Sequence, residues 1–132
     1  MSPELRSFVR KRAGGRCEYC RFPDEQLSWS PFHVDHLIAR QHGGGDETEN
    51  LAWACARCNS RKGTNLAGID PDSDNMVHLF NPRMDSWEQH FALRTGRILG
   101  LTAIGRATVW LLQMNSDDRA ALRLMLIEKG LW

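Results

Sequence analysis

Two Cys-x-x-Cys pairs, Cys17/Cys20 and Cys55/Cys58, constrain this chain more than any other feature. Each pair can turn two thiolates toward one ion, and two pairs complete a tetrahedral shell of four sulfurs. That shell is closed to water, so the Zn²⁺ it would hold is structural. The competing reading is a redox dithiol, against which two matched pairs in one small domain argue. The fold must then bring a stretch near residue 17 beside one near residue 55. A core of about 50 residues gains much of its stability from such an ion.

The 132 residues suffice for one domain, or for a small core with an appended subdomain. Hydrophobic content of 42% and charged content of 25% set the chain apart from disordered and membrane-spanning classes. No apolar run approaches the roughly 18 residues of a spanning helix, and no apolar segment follows the first charges as in a secretory signal. The expected location is the cytoplasm, where a disulfide framework would be unusual. A net charge of +1 conceals a cluster: Arg6, Arg10, Lys11, Arg12, Arg16 and Arg21 face the single acid Glu18. Such a run is either a solvated face or a contact for a nucleic-acid backbone. The 14 arginines against 3 lysines favour phosphate recognition, because the planar guanidinium fork matches phosphate oxygens.

Apolar spacing at Leu5, Phe8 and Val9 predicts a helix from Pro3 to the Gly14-Gly15 stop. Strands are expected over Leu27 to Asp35, with Pro31 marking an edge or bulge, and at Leu51-Ala52-Trp53. Between them His42-Gly43-Gly44-Gly45-Asp46 reads as loop. Ala56 to Lys62 forms two helical turns closed by Gly63. Beyond Asn65 the character shifts. A turn over Asp70 to Asn75 precedes strands at Met76 to Phe80, Trp87 to Leu93 and Ile98 to Leu101. Helices follow at Ala103 to Met114 and from Asn115-Ser116-Asp117-Asp118 to about Lys129. Two domains are therefore expected, 1–66 and 67–132, the second packed on the first.

Between the cysteine pairs lie His33, Asp35, His36, Asn50 and Asn59. His36 is a candidate general base, since an imidazole titrates near neutrality and can take a proton from water. Asp35 and Asn59 offer hard oxygen ligands to one divalent ion of the Mg²⁺ or Mn²⁺ kind. In a regular strand Asp35 and His36 would face opposite ways, so they share a site only where the strand ends, bulges or twists. His33, two residues before Asp35, is either a further metal or phosphate contact or a structural hydrogen bond. Lys62 follows Asn59 by three residues on the same helix face, where it could meet a phosphate. His42 suits a loop or substrate contact, while His78 and His90 have no partners in sequence. The scatter of Trp29, Trp53, Trp87, Trp110 and Trp132 points to packing for most of them rather than to a stacking platform.

Val34-Asp35-His36, the Gly-rich loop, Asn50-Leu51, and Cys58-Asn59 followed by Lys62-Gly63 resemble the HNH endonuclease family. The two knuckles resemble its zinc-bearing branch. The resemblance covers roughly residues 5–66. It implies an α+β fold around a ββα-metal (His-Me finger) core, with an N-terminal helix and a mixed C-terminal extension. It also implies a DNA endonuclease in which His36 is the base, Asp35 and Asn59 hold the metal, and Asn50 orients the histidine or its loop. Leu79-Phe80-Asn81-Pro82-Arg83, Trp87, His90-Phe91 and Gly105-Arg106-Ala107-Thr108 resemble an extension of some bacterial members. Beside such a site Arg10, Arg12, Arg16, Arg40, Arg57, Arg61 and Lys62 are the expected DNA contacts. Cutting both strands would need two sites, hence a dimer or two binding events by a monomer. The rival expectations are a nucleic-acid-binding zinc module without catalysis and a purely structural zinc scaffold. Neither needs Asp35, His36 and Asn59 together.

Overall fold

The computed structural model describes residues 1–132. It is a small mixed α+β protein that divides into two compact units, Met1–Thr64 and Asn65–Trp132.

The first unit opens with α1 (Pro3–Arg12), capped by the Ser2 hydroxyl, which accepts from the Leu5 amide at 3.1 Å. Gly14 and Gly15, both at positive φ, end the helix and turn the chain into the first knuckle. Strand β1 (His33–His36) pairs antiparallel with β2 (Leu51–Ala54), placing His33 opposite Ala54 and His36 opposite Leu51. Strand β2 is buried along its whole length, which its run of small and apolar residues permits. Helix α2 (Ala56–Lys62) follows at once, with Cys55 as its N-cap.

The expected strand over Leu27 to Asp35 begins later than its β-forming residues suggest. Asp24–Leu27 forms a 3₁₀ turn, and regular pairing starts only at His33 and runs on to His36. Pro31, which has no amide to give a ladder, precedes the pairing, and Trp29 points to solvent. Side chains on α1 tie it down: Arg6 donates to the Phe32 carbonyl at 2.8 Å and lies over the Trp53 ring.

In the second unit β3 (Ala67–Ile69) pairs with β4 (Met76–His78), and β5 (Phe91–Arg94) with β6 (Arg97–Gly100). The turn of the second hairpin is Thr95-Gly96, both at positive φ, which suits the right-handed twist of the pair. Trp87–His90, expected as strand, is one helical turn (α3) leading into β5. Helices α4 (Ala103–Leu112) and α5 (Asp117–Glu128) complete the chain. A core of Phe80, Phe91, Ile98, Leu112, Met114 and Leu126 holds this unit. Asp70, fully buried, accepts both Nε and NH2 of Arg106 at 2.9 Å, so the turn after β3 is fixed to α4. Of the tryptophans, Trp53 is buried, Trp87 and Trp132 are half-buried, and Trp29 and Trp110 are exposed.

Candidate active site

The four cysteines meet as their spacing requires. None is in a disulfide and all are buried, and their sulfurs lie within 4.8 Å of one another, Cys20 Sγ and Cys55 Sγ at 3.7 Å. A tetrahedral ion with bonds of about 2.3 Å to sulfur sets its ligands about 3.8 Å apart, so the cluster fits zinc. The backbone cooperates: the Cys20 amide donates to Cys17 Sγ and the Cys58 amide to Cys55 Sγ, both at 3.4 Å. Four crowded sulfurs cannot all ionise unaided. Burial pushes the Cys17 thiol well up, crowding by the other sulfurs raises Cys58, and the thiols around Cys55 hold it down as the thiolate. A divalent cation relieves that conflict, because metal-bound cysteine is anionic.

The knuckle reaches the hairpin through the two residues it encloses. Glu18 pairs with both backbone groups of Trp53, its amide donating to the carbonyl and its carboxylate accepting the amide, each at 2.8 Å. Tyr19, fully buried, donates its hydroxyl to Asp35 Oδ2 at 2.7 Å. The same carboxylate meets Lys62 Nζ, at 3.2 Å from Oδ2 and 3.4 Å from Oδ1. Burial pushes the Asp35 carboxyl above the usual range, opposed by the Lys62 ammonium and the Tyr19 hydroxyl. Burial, and then the Asp35 carboxylate, likewise raise the Tyr19 phenol.

Asp35, His36 and Asn59 line one open cleft, whose wall also includes Val34, Ala39, Arg40, Gln41, Gly63 and Thr64. Strand β1 ends at His36, and that ending lets neighbouring residues serve one cleft. Asn59 comes from α2, adjacent in sequence to the cluster cysteine Cys58. Asn59 and Asp35 each carry a hard oxygen of the kind Mg²⁺ or Mn²⁺ takes, the Asp35 carboxylate being buried and bonded to Tyr19 and Lys62. His33 stands exposed at the start of β1, outside the cleft wall.

Asn50 bonds the loop and not the histidine. Its Oδ1 accepts the Ile38 amide at 2.8 Å, while Nδ2 donates to the carbonyls of Ile38 and Gly45 at 3.0 and 2.9 Å. Gly44 belongs to the same clamp, since a Cβ there would run into the Ile38 carbonyl. The clamped loop delivers Asp46, whose Oδ1 lies 2.8 Å from both His36 Nε2 and Arg40 NH2. Hydrogen bonds from His36 and Arg40 hold the Asp46 carboxyl below the usual range. Neither Tyr19 nor Asp46 stood out in the sequence. Their only signals were position, one between the knuckle cysteines and one directly after the glycine run.

Among the expected DNA contacts, Arg10 is paired with Asp24 at 2.6 Å, Arg12 donates to the carbonyls of Thr48 and Leu51, and Arg16 to that of Arg21. Lys62 does not share an exposed face with Asn59: it is 3% exposed. Arg40 and Arg61 are exposed and Arg57 half-buried.

Residues 17–65 match the HNH endonuclease family. Septu protein PtuB of Bacillus thuringiensis is 26% identical over 128 residues, an alignment covering 95% of this chain and 46% of that protein. The chain thus spans about half the length of this curated relative. No solved structure matches the chain, and no helix is long and apolar enough to cross a membrane.

Proposed function

Since residues 17–65 are an HNH endonuclease domain, we propose that this chain is a metal-dependent DNA endonuclease with its chemistry at the end of β1. The carrying observation is the single cleft that Asp35, His36 and Asn59 share. Strand β1, strand β2 and helix α2 act as a ββα-metal core around it. Hydrolysis of a phosphodiester needs a deprotonated water, neutralised phosphate oxygens and a stabilised leaving oxygen. His36 supplies the first as general base. Asp35 and Asn59 hold one divalent ion, which when bound acts as a Lewis acid on the phosphate and the departing oxygen. Exposed Arg40 and Arg61, with half-buried Arg57 on α2, are the arginines of this core assigned to the DNA backbone. Residues 1–66 are read as the nuclease domain and 67–132 as its extension. The likeness to Septu protein PtuB runs through both, which supports treating them as parts of one working protein.

The test uses supercoiled plasmid with Mg²⁺ or Mn²⁺, with excess chelator, and with His36→Ala. Nicking should require the divalent ion and fall on the order of 10²–10⁴-fold in His36→Ala, the usual contribution of a general base. Plasmid binding without cleavage under every metal would instead support a nucleic-acid-binding zinc module.

A further inference from the structure

Asp46 bonds the histidine from the side of the Gly-rich loop. In neutral imidazole one ring nitrogen carries the proton and the other accepts, and the partner of the first decides which is which. An ionised carboxylate can only accept. With Asp46 Oδ1 at 2.8 Å from Nε2, the proton must sit on Nε2 and the lone pair on Nδ1. Arg40 NH2, bonded to the same Oδ1 at 2.8 Å, keeps the carboxylate in place from its outer side. Asn50 and Gly44 fix the loop backbone just before it. The sequence Gly43-Gly44-Gly45-Asp46 is thus a bracket whose last residue carries the hydrogen bond.

We propose that Asp46 is a positioning residue for His36, setting the tautomer in which Nδ1 is the ring atom free to take a proton from water. The inference rests on the nuclease reading for its catalytic consequence but not for its structural content. Asp46 acts on the ring through a hydrogen bond and touches no reacting atom. A carboxylate that holds the second nitrogen of a catalytic base is a general device for aiming an imidazole.

Two readouts separate this role from simple support of the loop. Long-range proton–nitrogen spectra of the zinc-loaded protein without added Mg²⁺ or Mn²⁺, with ¹⁵N-labelled histidine, report the tautomer, the His36 signals being assigned by their loss in His36→Ala. The wild type should show a proton on Nε2, and Asp46→Ala should show a mixture of both tautomers. In plasmid nicking, Asp46→Ala should lower kcat on the order of 10²-fold with KM changed by about twofold or less, as a misaimed base predicts. Asp46→Glu should recover part of the rate and the single tautomer. Folding is checked by the melting temperature and by Co²⁺ bound to the four thiolates, both expected to stay at wild-type values. A wild-type proton on Nδ1, or an Asp46→Ala protein with wild-type tautomer and kcat, overturns the proposal. Absence of metal-dependent nicking in the wild type would overturn the nuclease reading instead, while the spectra still decide what Asp46 does.

Discussion

Lys62 spends its ammonium on three acceptors: the Asp35 carboxylate, the His36 carbonyl at 3.1 Å and the Leu37 carbonyl at 3.4 Å. An ammonium has three protons to donate, so none remains for a phosphate. Its position three residues after Asn59 was legible, but its direction was not, because helix spacing is silent on which face meets the hairpin. The pair it makes with Asp35 is buried, and removing one partner of such a pair costs about 3–5 kcal/mol. Lys62→Met should lower the urea midpoint accordingly with little change in slope, and adding Asp35→Asn should recover much of the loss. A midpoint equal to wild type in the single mutant would mean that the pair carries no stability. His36 and Asn59 were legible as neighbours on one cleft because their spacing is local to the hairpin and the helix that follows it. Asp46 was not, because its role arises only when the loop folds back on Ile38.

The basic helix α1 shows the same ambiguity at the level of an element. Its arginines suit phosphates, yet Arg6 and Arg12 cap carbonyls of the hairpin segment and Arg10 grips Asp24. A guanidinium fork satisfies either partner, and charge patterning cannot distinguish them. Asp24 is the hub of this docking, for its Oδ2 also accepts Trp53 Nε1 at 3.1 Å. The Arg10 hydrogen bond, foremost, holds the Asp24 carboxyl below the usual range. The sign follows by linkage: with the folded value below the unfolded one, this stabilisation is complete above the ordinary aspartate range near pH 4. It is lost as pH falls through the lowered folded value. Thermal melts of wild type and Asp24→Asn should therefore converge in acid and diverge toward neutrality, the variant melting lower. Parallel curves at all pH values would show that the docking does not depend on this carboxylate. Helices were the elements most readable in sequence. Strand onsets were least so, since Leu27 and Trp29 look like strand residues although Pro31 delays pairing until His33.

The whole molecule divides into two units near residue 65, each with its own buried cluster of apolar side chains. What sequence could not supply was how much of the first unit depends on the cysteine cluster. Glu18 and Tyr19 hang the hairpin from the first knuckle, and Cys55 caps α2. Cys55→Ser should therefore abolish zinc binding and unfold residues 1–64. Hydrogen exchange should show protection lost there and kept across β5, β6, α4 and α5, whose core needs no ion. Full protection of the first unit in the metal-free mutant would refute this dependence. The bond from Tyr19 to Asp35 carries a temporal consequence under the proposed function. The residue meant to hold the catalytic ion is steadied by a hydroxyl that only an assembled knuckle can present. A freshly synthesised chain would then be harmless to DNA until it had captured zinc, and the cellular supply of one metal would license the use of another.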